Sequence, residues 1–192
     1  CHSNEYTECI IPEYFITQRD RSMNVDSVAI WHGPENQHWV VATAKSSHTL
    51  PVYDAQTGSL VKVIGQPGTQ AGQFQRPNGI AIEDDLIFIV ERDNKRLQIH
   101  NPPQGISLGF THQAMQRPYG LAVVVQEPYK KYMVYVTDNH GPVDHFYPKK
   151  VHQFAVERNR NTVDIQLIRT FGDDEGDGAL WKLESIAVDP FY

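Results

Sequence analysis

A short pattern that begins with a polar residue occurs four times in the chain. Each copy has a polar residue, a small residue and then a short apolar run that contains alanine. The polar residues that head the four copies are Asp26, Asn78, Tyr119 and Glu184. Carboxylate and amide oxygens bind hard cations, and a phenol donates a hydrogen bond. These heads are therefore candidate site positions.

A second set of polar residues ends the apolar segment that follows each of the first three copies. These segments end in Ala44-Lys45, Glu91-Arg92 and Asp138-Asn139. Lysine and arginine side chains bind anions, and carboxylates bind cations. Adjacent strands of an antiparallel sheet run in opposite directions, so the end of the second strand lies next to the head of the first. The sequence predicts that heads and strand ends share one level of the fold.

The same order of four strand types recurs three times, and no segment has a convincing helical pattern. Short apolar runs bounded by Gly, Pro and polar residues are typical of strands. A repeat of this size with four strands is typical of propeller blades, with a β-sandwich as the alternative. We predict an all-β protein, with an N-terminal segment at 1–24 and a partial β-propeller at 25–192. The blades are expected at about 25–65, 76–111 and 117–170, with an incomplete blade from 183.

The composition excludes some classes of partner. Hydrophobic residues make up 40% of the 192 residues, charged residues 21%, and the net charge is −6. A negative chain is a poor ligand for a nucleic-acid backbone, and no apolar run reaches transmembrane length. Cys1 and Cys9 could form a local disulfide, carry a lipid on Cys1 or stay as two free thiols. The start at Cys1 leads us to expect an extracytoplasmic protein that is secreted, periplasmic or lipid-anchored through Cys1.

The loop between the first two predicted blades carries one resemblance to a known family. Residues 65–79 are rich in Gly and Pro and contain Phe74, and strands follow up to Ile99. This stretch resembles an NHL repeat, with weaker copies at Gln116 to Gly120 and at Thr170 to Gly172. NHL repeats build propellers that serve as binding platforms. The resemblance implies a non-catalytic module that binds a protein or another ligand.

A second resemblance extends from about residue 24 to the C-terminus. Its motifs are Asp26 to Trp31, Ala42 to Lys45, Arg76 to Asn78 with Glu91-Arg92, Pro118 to Leu121, and Glu184 to Asp189. Together, in this order, they are similar to the β-propeller phytases. The resemblance implies a six-bladed, calcium-dependent hydrolase of phosphate monoesters such as an inositol phosphate.

The phytase resemblance also implies roles for the polar residues. Lys45 and Arg92 would neutralise a phosphate group, and Tyr119 would donate a hydrogen bond to a phosphate oxygen. Calcium would be held by oxygen ligands. The implied ligands are Asp26, Asn78, Glu91, Asp138 and Glu184. At the third strand end, Asn139-His140 stands where the resemblance implies Lys followed by Glu, so one cation and one acid are missing.

Three blades and the start of a fourth do not close a ring. Propellers have typically four to eight blades, and an open ring exposes strand edges. We therefore expect the remaining blades, or another chain, to complete the propeller.

Overall fold

The computed structural model describes residues 15–17, 20–111, 115–139, 149–181 and 183–189. Cys1, Cys9 and His140 lie outside these ranges. The described residues form twelve β-strands and no helix, so they contain no helix that could cross a membrane. The predicted all-β class is confirmed.

The strands form three separate four-stranded antiparallel sheets, and in each sheet the spatial order follows the chain. The first sheet contains β1 (Val25–His32), β2 (His38–Ala44), β3 (Leu50–Asp54) and β4 (Leu60–Ile64). The second contains β5 (Pro77–Glu83), β6 (Leu86–Glu91), β7 (Arg96–Asn101) and β8 (Ile106–Phe110). The third contains β9 (Pro118–Gln126), β10 (Lys131–Asp138), β11 (Lys150–Asn159) and β12 (Thr162–Phe171).

Successive sheets pack face to face, with β5 in contact with both β1 and β9. The second sheet lies between the first and the third, and because side chains alternate along a strand, β6 contributes residues to the packing on both sides. On β6, Ile87 and Ile89 pack against Val41 and Val52 of the first sheet. Phe88 and Val90 pack on the other side, in a cluster with residues of the third sheet. This series of sheets is consistent with a β-propeller-like fold.

The polar-small pair at the head of each of the first three copies forms a β-bulge. In the first sheet Val25 pairs with Ala44 and Val28 with Ala42, so Asp26 and Ser27 together face only Thr43. The same shift separates Pro77 from Ile80 in the second sheet and Pro118 from Leu121 in the third. A bulge places an extra residue in one strand and redirects its side chains. The bulge explains why the polar head recurs at the same place.

In the second and third copies, the close approach of the following segment requires the small residue of the pair to be glycine. A Cβ atom on Gly79 would lie 2.8 Å from the backbone oxygen of Tyr119. A Cβ atom on Gly120 would lie 2.4 Å from the backbone oxygen of Glu184. Real Cβ atoms do not come this close to backbone atoms, so each glycine permits the following segment to pack.

The fourth copy of the pattern differs from the prediction. Residues 183–189 form no strand, although Glu184 and Ser185 pack against Gly120 of β9. A strand needs a hydrogen-bonded neighbour along its length. None of the described segments forms a ladder with residues 183–189, and the predicted strand from Glu184 to Val188 is therefore wrong for this structure.

Candidate functional site

The predicted equivalence of Lys45, Arg92 and Asn139 is visible in their backbone hydrogen bonds. Their amides donate to the carbonyl oxygens of the residues that precede the three inner strands, each at 3.1 Å. The acceptors are Asn24, Arg76 and Arg117, respectively. The three side chains thus start from the same level of three successive sheets, next to the heads Asp26, Asn78 and Tyr119.

The Lys45 side chain contacts two of the strand heads, Asp26 in the first sheet and Tyr119 in the third. Its Nζ lies 2.5 Å from Oδ1 of Asp26 and 5.2 Å from the centre of the Tyr119 ring. The Lys45 side chain is only 9% exposed, and that of Asp26 is 28% exposed. An ammonium over an aromatic face is attracted by the ring quadrupole. The structure therefore brings Asp26, Lys45 and Tyr119 together from two sheets that are not adjacent.

Asn78 heads the sheet that lies between them, and its side chain is fully buried. Its backbone oxygen accepts a hydrogen bond of 2.6 Å from Oγ1 of Thr43. Neither Oδ1 nor Nδ2 of its amide has a hydrogen-bond partner among the described residues. Leaving a buried polar group unpaired costs about 1–3 kcal/mol, so such a group normally meets a water or a ligand.

Arg92 is at the level of Lys45 but contacts a different carboxylate. Its Nε donates to Oδ1 of Asp93 at 2.6 Å, and both side chains are partly exposed. An exposed pair of this kind is weak, so the guanidinium is available to an anion at little cost.

The Glu91 carboxylate accepts four hydrogen bonds in a buried network. Its Oε1 accepts from Arg96 Nε at 2.5 Å and from Gln98 Nε2 at 2.9 Å. Its Oε2 accepts from Asn94 Nδ2 at 2.6 Å and from the Gln75 amide at 2.9 Å. Burial raises the pKa of Glu91, while the hydrogen bond and charge of Arg96 oppose that rise. Both oxygens are therefore engaged by protein donors.

Arg96 connects this network to the loop between the first two sheets. Its guanidinium also donates to the backbone oxygens of Thr69, Gln70 and Gln73, which lie in the loop between the first two sheets. The Glu91–Arg96 pair thus fixes that loop against the second sheet.

Asp138 occupies the equivalent place in the third sheet and has a similar role. It accepts from the amides of Gln116 and Arg117 at 2.8 and 2.7 Å, and its Oδ2 lies 3.1 Å from His152 Nε2. Burial acts to raise the pKa of Asp138, but the hydrogen bonds from His152 and the two amides outweigh it, and the pKa is lowered. Asp138 holds the start of β9.

The remaining predicted positions, Asn139 and Glu184, take part in hydrogen bonds between the third sheet and the segment that follows it. The Asn139 side-chain amide donates to the Leu183 oxygen, and its Oδ1 accepts from the Leu183 amide at 3.3 Å. The backbone oxygen of Glu184 accepts from Thr137 Oγ1 at 3.4 Å. Where Lys45 and Arg92 provide charge, Asn139 clamps the backbone.

These positions do not supply a complete calcium site. Calcium takes six to eight oxygen ligands. The oxygens of Glu91 and Asp138 already accept protein hydrogen bonds, and the described residues contain no group of three or more His, Cys, Asp or Glu side chains that could hold a metal. The predicted ligands that fit best are Asp26 and Asn78, whose Oδ1 has no hydrogen-bond partner in the part of the chain that the structure describes.

Two threonines, Thr43 and Thr137, also connect the inner segments and are not among the predicted site residues. Thr43 Oγ1 bonds to Asn78 of the next sheet, and Thr137 Oγ1 bonds to Gly120 and to Glu184. Each lies two residues before the strand-end position, and the second sheet has Val90 there. This recurrence was a signal that could have identified them as links between successive inner segments.

No protein-family model matches the sequence, and no curated protein matches it either. Among solved structures, the chain is similar to Kuenenia stuttgartiensis hydrazine synthase, at 10% sequence identity and a TM-score of 0.46. The alignment covers 84% of this chain and 52% of that chain, so this chain spans about half its length.

Proposed function

We propose that the strand heads form a site for a phosphorylated small molecule, such as an inositol phosphate, in a phytase-like phosphomonoester hydrolase. The observation that carries the proposal is the position of Lys45, whose ammonium lies between the Asp26 carboxylate and the Tyr119 ring. Asp26 orients the ammonium, and Tyr119 borders the position that an anion would take.

The neighbouring groups add hydrogen-bond donors for a phosphate. A lysine ammonium has three donor hydrogens, and Asp26 accepts one of them. Nδ2 of Asn78, which heads the second sheet, adds a donor that has no partner among the described residues. Arg92 shares the backbone level of Lys45, and its forked guanidinium matches the geometry of a phosphate. Positive groups gathered at one level raise the local anion concentration.

Calcium belongs to the proposal only through the phytase resemblance. Asp26 and Asn78 would contribute oxygen ligands, while Glu91 and Asp138 serve the protein's own hydrogen bonds. Because the described residues do not complete a calcium site, no catalytic step is assigned to the ion.

The second candidate function is a non-catalytic binding module in an NHL-like propeller. It is favoured by the engagement of Glu91 and Asp138 and by the clamp at Asn139. In this alternative the same cations hold an anionic ligand, but nothing activates a water molecule for hydrolysis.

Titration calorimetry with inositol hexakisphosphate and with inorganic phosphate tests the site, in calcium and in EGTA. Lys45→Ala should weaken binding at least tenfold, which is about 1.4 kcal/mol. Arg92→Ala should weaken it by a similar factor. Lys130→Ala is the matched control, because Lys130 is exposed at the opposite end of the sheets and should bind as the wild type does.

Unchanged affinity in both Lys45→Ala and Arg92→Ala, with melting temperatures that show folded variants, would refute the anion site. Phosphate release from the bound ligand decides between the two functions. Release that requires calcium supports the hydrolase, and tight binding without release supports the binding module.

A further inference from the structure

Two histidines face each other at the end of the first sheet that is opposite to Lys45. His32 ends β1 and His38 begins β2, and the two residues pair directly across the strands. Their Nδ1 atoms are 2.8 Å apart, with ring centres 4.9 Å apart and planes at 75°. At about 3.3 Å per residue, β2 places this pair roughly 20 Å from the strand heads. The pair is therefore distinct from the proposed anion site.

The hairpin that carries the pair is firmly held. Trp31 and Trp39, the next pair along the strands, pack with ring centres 4.7 Å apart. Trp31 is buried, and its Nε1 donates to Oδ1 of Asp85, in the turn between β5 and β6, at 3.0 Å. The turn is closed by a hydrogen bond of 2.8 Å from the Gly33 amide to the Gln37 oxygen. A rigid hairpin keeps the two imidazoles together before any ligand binds.

A second contact sets the chemistry of His38. Its Nε2 lies 3.1 Å from Oδ1 of Asn36, an acceptor, so Nε2 carries the hydrogen in the neutral ring. The lone pair is then on Nδ1, the atom that faces His32. A metal-binding histidine usually donates its other N–H to an oxygen in this way. Asn36 thus orients His38 as a ligand through Nδ1.

The distance between the two nitrogens fits neighbouring ligands of one metal. With metal–nitrogen bonds of about 2.0–2.1 Å, two nitrogens at a right angle are about 2.9 Å apart. In the metal-free chain this 2.8 Å contact is a hydrogen bond, in which Nδ1 of His32 donates to the lone pair on Nδ1 of His38. A metal ion at this site would replace the shared hydrogen, which would move to Nε2 of His32. Among divalent first-row metals, an imidazole site binds Cu²⁺ most tightly.

We propose that His32 and His38 bind a divalent transition metal through their Nδ1 atoms, with Cu²⁺ bound most tightly. His32 borders an open polar cleft of about 590 Å³ that Asp84 and Asp85 also line. The cleft admits water to the remaining coordination positions. The partly exposed ring of His38 and the exposed ring of His32 leave the metal accessible from solvent.

Electron paramagnetic resonance of the chain with one equivalent of Cu²⁺ tests the proposal. We expect hyperfine splitting from two imidazole nitrogens and a rise in melting temperature on binding. His32→Asn and His38→Asn should each lower the affinity at this site at least tenfold. His152→Asn, which removes a histidine of the third sheet, should leave it unchanged.

A Cu²⁺ spectrum and affinity that are the same in the wild type and in both hairpin variants would overturn the proposal. The thermal melts of the metal-free variants keep that outcome interpretable. Both rings lie at the surface, so loss of either should shift the melting temperature little.

Discussion

Replacing Glu91 with glutamine tests whether this carboxylate serves the fold. Glu91 is fully buried, and its partner Arg96 is 4% exposed. The change Glu91→Gln keeps the shape but removes the charge that faces the guanidinium. It also places an NH₂ group where one carboxylate oxygen now accepts hydrogen bonds. Removing one partner of a buried ion pair costs about 3–5 kcal/mol, because the other charge stays buried.

The structure places Glu91→Gln near the lower end of that range. Arg96 keeps three backbone acceptors in the 69–73 loop, so its charge is not left without hydrogen bonds. We expect the free energy of unfolding to fall by about 3 kcal/mol. For a chain of this length, each kcal/mol lowers the melting temperature by roughly 2–4 °C, so the variant should melt about 6–12 °C lower. Urea unfolding and thermal melts, both in EGTA, measure the loss.

The matched control is Asp93→Asn, which removes the carboxylate of the exposed Arg92 pair. An exposed pair contributes about 0–1 kcal/mol, so this variant should melt close to the wild type. If Glu91→Gln is as stable as the wild type in EGTA and loses stability only relative to the calcium-bound protein, Glu91 is a calcium ligand and the structural assignment fails.

Two further predictions concern packing and pH. Gly120→Ala should cost about 1–3 kcal/mol in urea unfolding, because its Cβ would lie 2.4 Å from the Glu184 oxygen. Ser27→Ala, at the equivalent place in β1, should cost less than about 0.5 kcal/mol, and equal losses would contradict the steric reasoning. Burial lowers the pKa of His100 to about 4, below its usual 6.5. The folded protein therefore favours neutral His100, and the stabilisation from this residue is complete above pH 6.5. It is lost as the pH falls towards 4. The free energy of unfolding should fall by about 3 kcal/mol over this pH range. The variant His100→Phe should flatten the pH dependence of the unfolding free energy. An unchanged slope would show that another group titrates.

The strands and the places of the strand heads could be predicted from the sequence. Apolar runs with period two and Gly or Pro boundaries are local signals, and they depend on backbone geometry that neighbouring residues set. The polar-small pair recurs because β1, β5 and β9 each bulge at that place, and in β5 and β9 the following segment packs against Gly79 or Gly120. The alignment of Lys45 with Arg92 follows from the same register.

The fourth copy shows where this local reasoning fails. Glu184 to Val188 have the strand pattern, but a strand also needs a hydrogen-bonded neighbour. None of the described segments pairs with these residues. The pattern in one segment could not reveal whether that partner is present.

Only the tertiary structure decided which polar side chains are already engaged. Glu91 and Asp138 have the sequence context of strand-end carboxylates, but donors from distant loops and strands satisfy their oxygens. Asn78 has a similar context, yet its amide is buried without a partner among the described residues. A hydrogen bond depends on distances of about 3 Å between residues far apart in the chain, and periodicity does not encode those distances. The sequence therefore determined where polar groups emerge from the sheets, and the packing of loops against sheets determined which of them are left for a ligand.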